Sequence, residues 1–112
     1  MTLRYYRKAE RPDLRLWLRD DNGNLVDFST GYTFEFKLGE VGSAAVFTKT
    51  TGIAGAAGSG VPPTGTPNVT LTFTSGELDN VTVGPMSWQL RATNSTLDRF
   101  FQGPFHLHDV IG

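Results

Sequence analysis

Through most of the chain, apolar and polar residues alternate with a period of two. That period puts successive side chains on opposite faces of a β-strand. In residues 14–19, Leu14, Leu16 and Leu18 alternate with Arg15, Trp17 and Arg19, so the leucines claim the core face. In 32–38, Tyr32, Phe34, Phe36 and Leu38 share one face, and Thr33, Glu35 and Lys37 share the other. Val69, Leu71 and Phe73 repeat the pattern in 68–74, as do Met86, Trp88, Leu90 and Ala92 in 86–92. Residues 25–28 and 44–49 read as shorter strands. Residues 99–102 and 105–111 read as two more, split by Gly103-Pro104. No segment carries a helical period, and one helical turn is expected at 75–79.

Turn residues punctuate these runs. Asp20-Asp21-Asn22-Gly23, Ser29-Thr30-Gly31 and Asn94-Ser95-Thr96-Leu97 each reverse the chain, since glycine and asparagine accept positive φ and short polar side chains bond the local backbone. Residues 52–67 hold five glycines and three prolines and scarcely any large side chain. Such a segment buries too little area to offset its own ordering entropy, and it reads as a long loop, mobile or ordered against a partner. The strands number about seven or eight at spacings near ten residues, which predicts an all-β, antiparallel β-sandwich. Leu16, Phe34, Phe36, Leu71 and Trp88 are expected in one core.

The 112 residues fit one domain. Within it the charge is uneven. Residues 1–12 carry Arg4, Arg7, Lys8 and Arg11 against Glu10 alone, a balance of +3, which leaves −4 for the rest of a chain whose net charge is −1. Residues 1–12 therefore read as a basic arm, or as an edge strand ending at Pro12, and 13–112 as the folded domain. A near-neutral total argues against a nucleic-acid partner. The chain has no cysteine, which excludes disulfides and thiolate chemistry. Residues 1–8 contain no apolar run and no stretch approaches the roughly 18–20 apolar residues of a membrane span, so cytoplasmic synthesis without a leader and no membrane partner are expected.

Candidate chemistry is sparse. The glycines at 52, 55, 58 and 60 match neither nucleotide-binding fingerprint, for no Lys-Ser/Thr and no helix follows them. His106 and His108 lie two apart and share a strand face, yet they are the whole histidine content and a third ligand is missing. No metal and no cofactor are expected. No Gly-x-Ser-x-Gly is present and the carboxylates scatter through turns, so no catalytic residue and no small-molecule substrate are expected. Protein contacts are the better expectation. Trp17 stands on the outward face between Arg15 and Arg19, where an aromatic flanked by arginines has the make-up of a binding hot spot; the alternative is that the arginines stack on it or another strand covers it. In the arm, Leu3, Arg4, Tyr5, Tyr6 and Arg7 suit strand addition to a neighbouring subunit, with the arm mobile in a free monomer.

The order Asp13-Leu-Arg-Leu-Trp-Leu-Arg-Asp-Asp-Asn-Gly23, Val26-Asp-Phe28 and Gly31-Tyr-Thr-Phe-Glu-Phe36 resembles the opening of small β-sandwich proteins of tailed-phage particles. Gly84-Pro-Met-Ser-Trp-Gln-Leu90 and Gly103-Pro-Phe-His-Leu107 extend the likeness, which spans residues 13–111. The relatives in question are the N-terminal domain of baseplate upper proteins and small collar or fibre-adaptor proteins; the 52–67 segment is a departure from them. The resemblance implies an Ig-like sandwich present in many copies per virion, without enzymatic activity. It implies a tail, collar or baseplate component whose partners are other virion proteins and copies of itself. A capsid decoration or head–tail protein is the alternative within that class, and a carbohydrate-binding or adhesion module the alternative outside it.

Overall fold

The computed structural model describes residues 3–6, 13–40, 43–62, 64–74 and 76–108. Those residues form eight strands and no helix: β1 (Leu3–Tyr6), β2 (Asp13–Leu16), β3 (Thr33–Gly39), β4 (Phe47–Lys49), β5 (Ile53–Gly55), β6 (Val69–Thr72), β7 (Gly84–Thr93) and β8 (Asp98–His108). They build a five-stranded sheet in the order β1-β8-β7-β3-β4 and a three-stranded sheet in the order β2-β6-β5. The fold is all-β, as the alternation predicts.

The two sheets turn their apolar faces onto a single core. The larger contributes Leu3, Tyr5, Phe34, Phe36, Leu38, Trp88, Leu90, Ala92, Phe105 and Leu107, and the smaller Leu14, Leu16, Val69 and Leu71. All five residues expected at the centre are buried. Aromatic edges hold the middle, with Phe36 at 6.4 Å from both Phe73 and Phe105 in edge-on geometry, an arrangement the ring quadrupoles favour.

Four features depart from the expectation. The sheets are not wholly antiparallel, because β1 runs parallel to β8 with Leu3 opposite Phe105 and Tyr6 opposite His108. Residues 25–28 form no full strand; they contribute only a bridge between Arg19 and Leu25 and backbone bonds from Val26 to Leu18 and from Phe28 to Ala56. β8 runs unbroken through Gly103-Pro104. The proline is tolerated because β1 covers β8 only from Phe105 onward, so at Pro104 no described strand asks for the missing N–H on that side. Finally, residues 52–67 are not a structureless loop: they contain β5 and a bridge between Ser59 and Thr66.

Two polar groups are built into the interior. Asn68 is fully buried. Its side chain accepts from Leu18 N–H at 2.8 Å and donates to the carbonyls of Leu18 and Val26 at 2.7 and 2.9 Å, satisfying the backbone where regular pairing stops. The Lys49 ammonium, with its side chain 3% exposed, donates to both carboxylate oxygens of Glu77 at 3.0 and 2.8 Å and lies 5.2 Å from the Phe73 ring centroid. Burial raises the Glu77 pKa, but hydrogen bonds from Lys49 and from the Thr74 backbone, with the Lys49 charge, outweigh it, and the net displacement is downward. This ion pair ties β4 to the hydrogen-bonded turns of residues 76–81, in the region where one helical turn is expected.

Candidate functional site

The N-terminal segment is an edge strand of its own sheet. Leu3 and Tyr5 are buried, with the Tyr5 ring 4.7 Å from Phe73. Burial, then the charges of Asp13 and Glu77, push the Tyr5 hydroxyl pKa upward. The apolar side chains expected to enter a neighbouring subunit thus fill this chain's own core, because alternation sends residues 3 and 5 to the same face as Phe105 and Leu107. Arg4 is exposed on the opposite face. Tyr6 closes the strand opposite His108. Arg7 and the rest of the basic segment to Pro12 lie outside the described residues.

Arg4 meets the two histidines there. The rings of His106 and His108 stack at 4.2 Å with planes 17° apart, and the Arg4 guanidinium donates toward His108 Nε2 at 3.3 Å. Burial, followed by the charges of His106 and Arg4, lowers the His108 pKa. A guanidinium sits where a metal would have to approach that nitrogen, and among the described residues no group of three or more His, Asp or Glu is placed to hold a metal.

Trp17, Arg19 and the glycine-rich segment come together at one end of the molecule. Trp17 is half-buried, and its indole N–H donates to the Ser59 carbonyl at 3.4 Å. Arg19 is exposed and donates to the carbonyls of Gly23 and Gly60 at 2.8 and 2.9 Å. Arg15 remains at the surface, paired with Asp13 at 3.1 Å. Of the two readings of Trp17, the structure therefore shows cover, supplied by the 59–66 hairpin and not by a regular strand.

That hairpin is seated by close approach. A Cβ at Gly55 would collide with the Phe28 carbonyl, and one at Gly58, where φ is +74°, would come 2.8 Å from the Asn68 Cβ. Only glycine lets the backbone pass there. Ser59 and Thr66 exchange two backbone hydrogen bonds at 2.9 and 2.8 Å, and Gly65 N–H donates to the Val61 carbonyl at 2.8 Å. The tip carries Val61, 57% exposed.

At the other end lies a cleft of about 470 Å³, lined by Gly39, Val46, Asn80, Val83, Pro85 and Met86 among others. Its rim holds two more exposed aliphatics, Val46 at 64% and Val83 at 42%. Among the described residues, the remaining large apolar side chains at the surface are Leu97 and Phe100. None of these five stands out in the sequence. Val46, Val83 and Phe100 sit in or beside strand-like runs, where which neighbour covers them is a tertiary matter. Val61 carries the one readable signal, an isolated branched residue between Gly60 and Pro62 in a segment otherwise free of bulk. No family model, no curated protein and no solved structure matches this chain.

Proposed function

We propose that the protein is a non-enzymatic structural component of a tailed-phage virion, a tail, collar or baseplate protein with an Ig-like β-sandwich fold that works through protein–protein assembly. The observation that carries this reading is the strand order. β8-β7-β3-β4 corresponds to the G-F-C-C′ order of an Ig sheet and β2-β6-β5 to B-E-D, with β1 added on the G edge. That order supports the Ig-like sandwich implied by the resemblance of residues 13–111 to small phage sandwich proteins. The surface is in keeping with it. Exposed apolar side chains sit at Val61, beside the Ser59–Thr66 bridge, and at a cleft rim, and such places suit contact with other proteins. A sugar-binding platform is poorly served, because the Trp17 ring is half covered and Phe100 is the aromatic left among the exposed large apolar side chains of the described residues.

The test is to raise antibodies against the protein and label purified phage particles from a lysate of the source, with mass spectrometry of the same particles. Label at one end of the tail or at the neck, with peptides at several copies per particle, is the expected result. Particles devoid of the protein, with all of it in the soluble fraction, would overturn the proposal.

A further inference from the structure

An asparagine side chain is electrophilic at Cγ, and the nearest nucleophile is the backbone nitrogen of the residue that follows. A side chain on that residue shields the nitrogen, so attack is fastest where glycine follows. Of the five asparagines in the chain, Asn22 alone precedes a glycine. Asn68 is buried. Asn94 holds its Oδ1 on the Thr96 and Leu97 amides at 2.9 and 2.6 Å. Asn24 and Asn80 are exposed but precede Leu25 and Val81. Asn22 and Gly23 are both exposed, and no atom of a neighbouring element lies within 4 Å of where a Gly23 Cβ would stand.

The turn that presents this pair also restrains it. The Gly23 N–H donates to the Asp20 carbonyl at 3.0 Å. The Asp20 side chain accepts from the Asn22 and Asn24 amides at 2.9 and 3.0 Å. Arg19 donates to the Gly23 carbonyl at 2.8 Å. To reach Cγ, the Gly23 nitrogen must leave the Asp20 carbonyl, and the backbone between the two residues must rotate against these bonds.

We propose that Asn22 is a site of spontaneous deamidation, held slow in the folded chain by the Asp20 turn. The Gly23 nitrogen loses its proton and attacks Asn22 Cγ. A C–N bond forms, the side-chain nitrogen leaves as ammonia, and a five-membered succinimide results. Water then opens either ring carbonyl, leaving aspartate or isoaspartate at position 22. Water is the only co-reactant, and nothing is oxidised or reduced. The product takes the net charge of the chain from −1 to −2, beside Asp20 and Asp21. Isoaspartate also adds one carbon to the main chain just before Gly23, whose carbonyl Arg19 holds while it bonds the Gly60 carbonyl. The conversion runs one way, so the converted fraction records how long a copy has existed. It falls at the end of the molecule where Trp17, Arg19 and the glycine-rich segment meet.

The experiment incubates the full chain at neutral pH, in native buffer and in urea, and follows each asparagine by peptide mass spectrometry. Conversion adds one mass unit, and chromatography separates the two products. In native buffer Asn22 should convert ahead of every other asparagine, and about tenfold or more slowly than in urea, because the turn must open first. Asp20→Ala removes the acceptor for two amides and should speed native conversion about tenfold. Asp20→Asn keeps a side-chain oxygen there and should stay near wild type. An Asn22 that stays intact in native buffer overturns the proposal, as does another asparagine converting first. Equal rates in buffer and urea, or an Asp20→Ala rate like that of wild type, overturn the restraint assigned to the turn. If a thermal melt shows Asp20→Ala to be unfolded, Arg19→Ala, which frees the Gly23 carbonyl from the other side, serves in its place with the same expected direction.

Discussion

In the five-stranded sheet, β7 and β8 pair continuously from Gly84 opposite Leu107 to Thr93 opposite Asp98, and the side chains turned inward from β3 and β7 are Phe34, Phe36, Leu38, Trp88, Leu90 and Ala92. In the three-stranded sheet no described strand exceeds four residues. Its far end is completed by Asn68, whose side chain bonds the backbone of Leu18 and Val26. One sheet rests on long ladders and apolar burial. The other is too short for that and closes its backbone through a buried amide and a seated hairpin. The lesson is that a small domain can shorten one of its sheets provided a side chain takes over the hydrogen bonds that the missing strand would have made.

The comparison can be broken by removing the central residue of each part. Phe36→Ala should destabilise the fold by about 4 kcal/mol, through lost burial and the cavity left between Phe73 and Phe105. Asn68→Ala should cost about 2 kcal/mol, because it leaves the Leu18 N–H and the Val26 carbonyl without the partners Asn68 supplies and the Leu18 carbonyl with the Val26 N–H alone. Urea unfolding with unchanged m-values measures both. An Asn68→Leu variant as stable as wild type would show that the amide is not what closes the smaller sheet.

An effect of similar size sharpens the role of the ion pair that anchors the far edge of the larger sheet. Lys49→Ala should cost about 2 kcal/mol at neutral pH, since Glu77 keeps partial access to water and part of the pair is screened. The same pair sets the response to acid. The Glu77 pKa is lower in the folded protein than its ordinary value of 4.5, so the unfolded chain takes up the proton first. The pair's contribution is complete above about that value and is lost as pH falls below it. Thermal melts from pH 6 to pH 3 should show this loss, and in Lys49→Ala the slope should flatten.

The smallest effect concerns β1. His108 also has a lowered pKa in the folded state. A group of this sign adds stability while neutral, above its ordinary value of 6.5, and loses it as pH falls through that region. Relative to intrinsic amide exchange, the protection of the β1 amides should fall modestly as pH drops from 7 to 5.5. His108→Gln should remove that dependence while leaving the exchange of β3 and β7 unchanged.

Much of the larger sheet is legible in the order of residues alone. The runs in 32–38 and 86–92 alternate cleanly, and a residue such as Leu90 can face only the core once its register is set by Phe36 opposite it. The arm is legible as an edge strand but not as to whose edge it joins. Leu3 and Tyr5 suit any sheet with an open side, and only the position of β8, about a hundred residues further along the chain, decides that they pack at home. Trp17 is legible as lying off the leucine face, and its cover is not, because the Ser59 carbonyl that takes its N–H comes from a segment with no periodicity.

The sequence by itself therefore determined the fold class, the inward face of nearly every strand and the places where the chain turns. These depend on local alternation and on the φ preferences of glycine and asparagine. The tertiary structure alone decided the parallel seating of β1, the burial of Asn68 and Lys49, and the pairing of Arg4 with His108. Each of these joins residues far apart in the chain, and a contact of that kind is set by where two strands end up side by side, which no local pattern encodes.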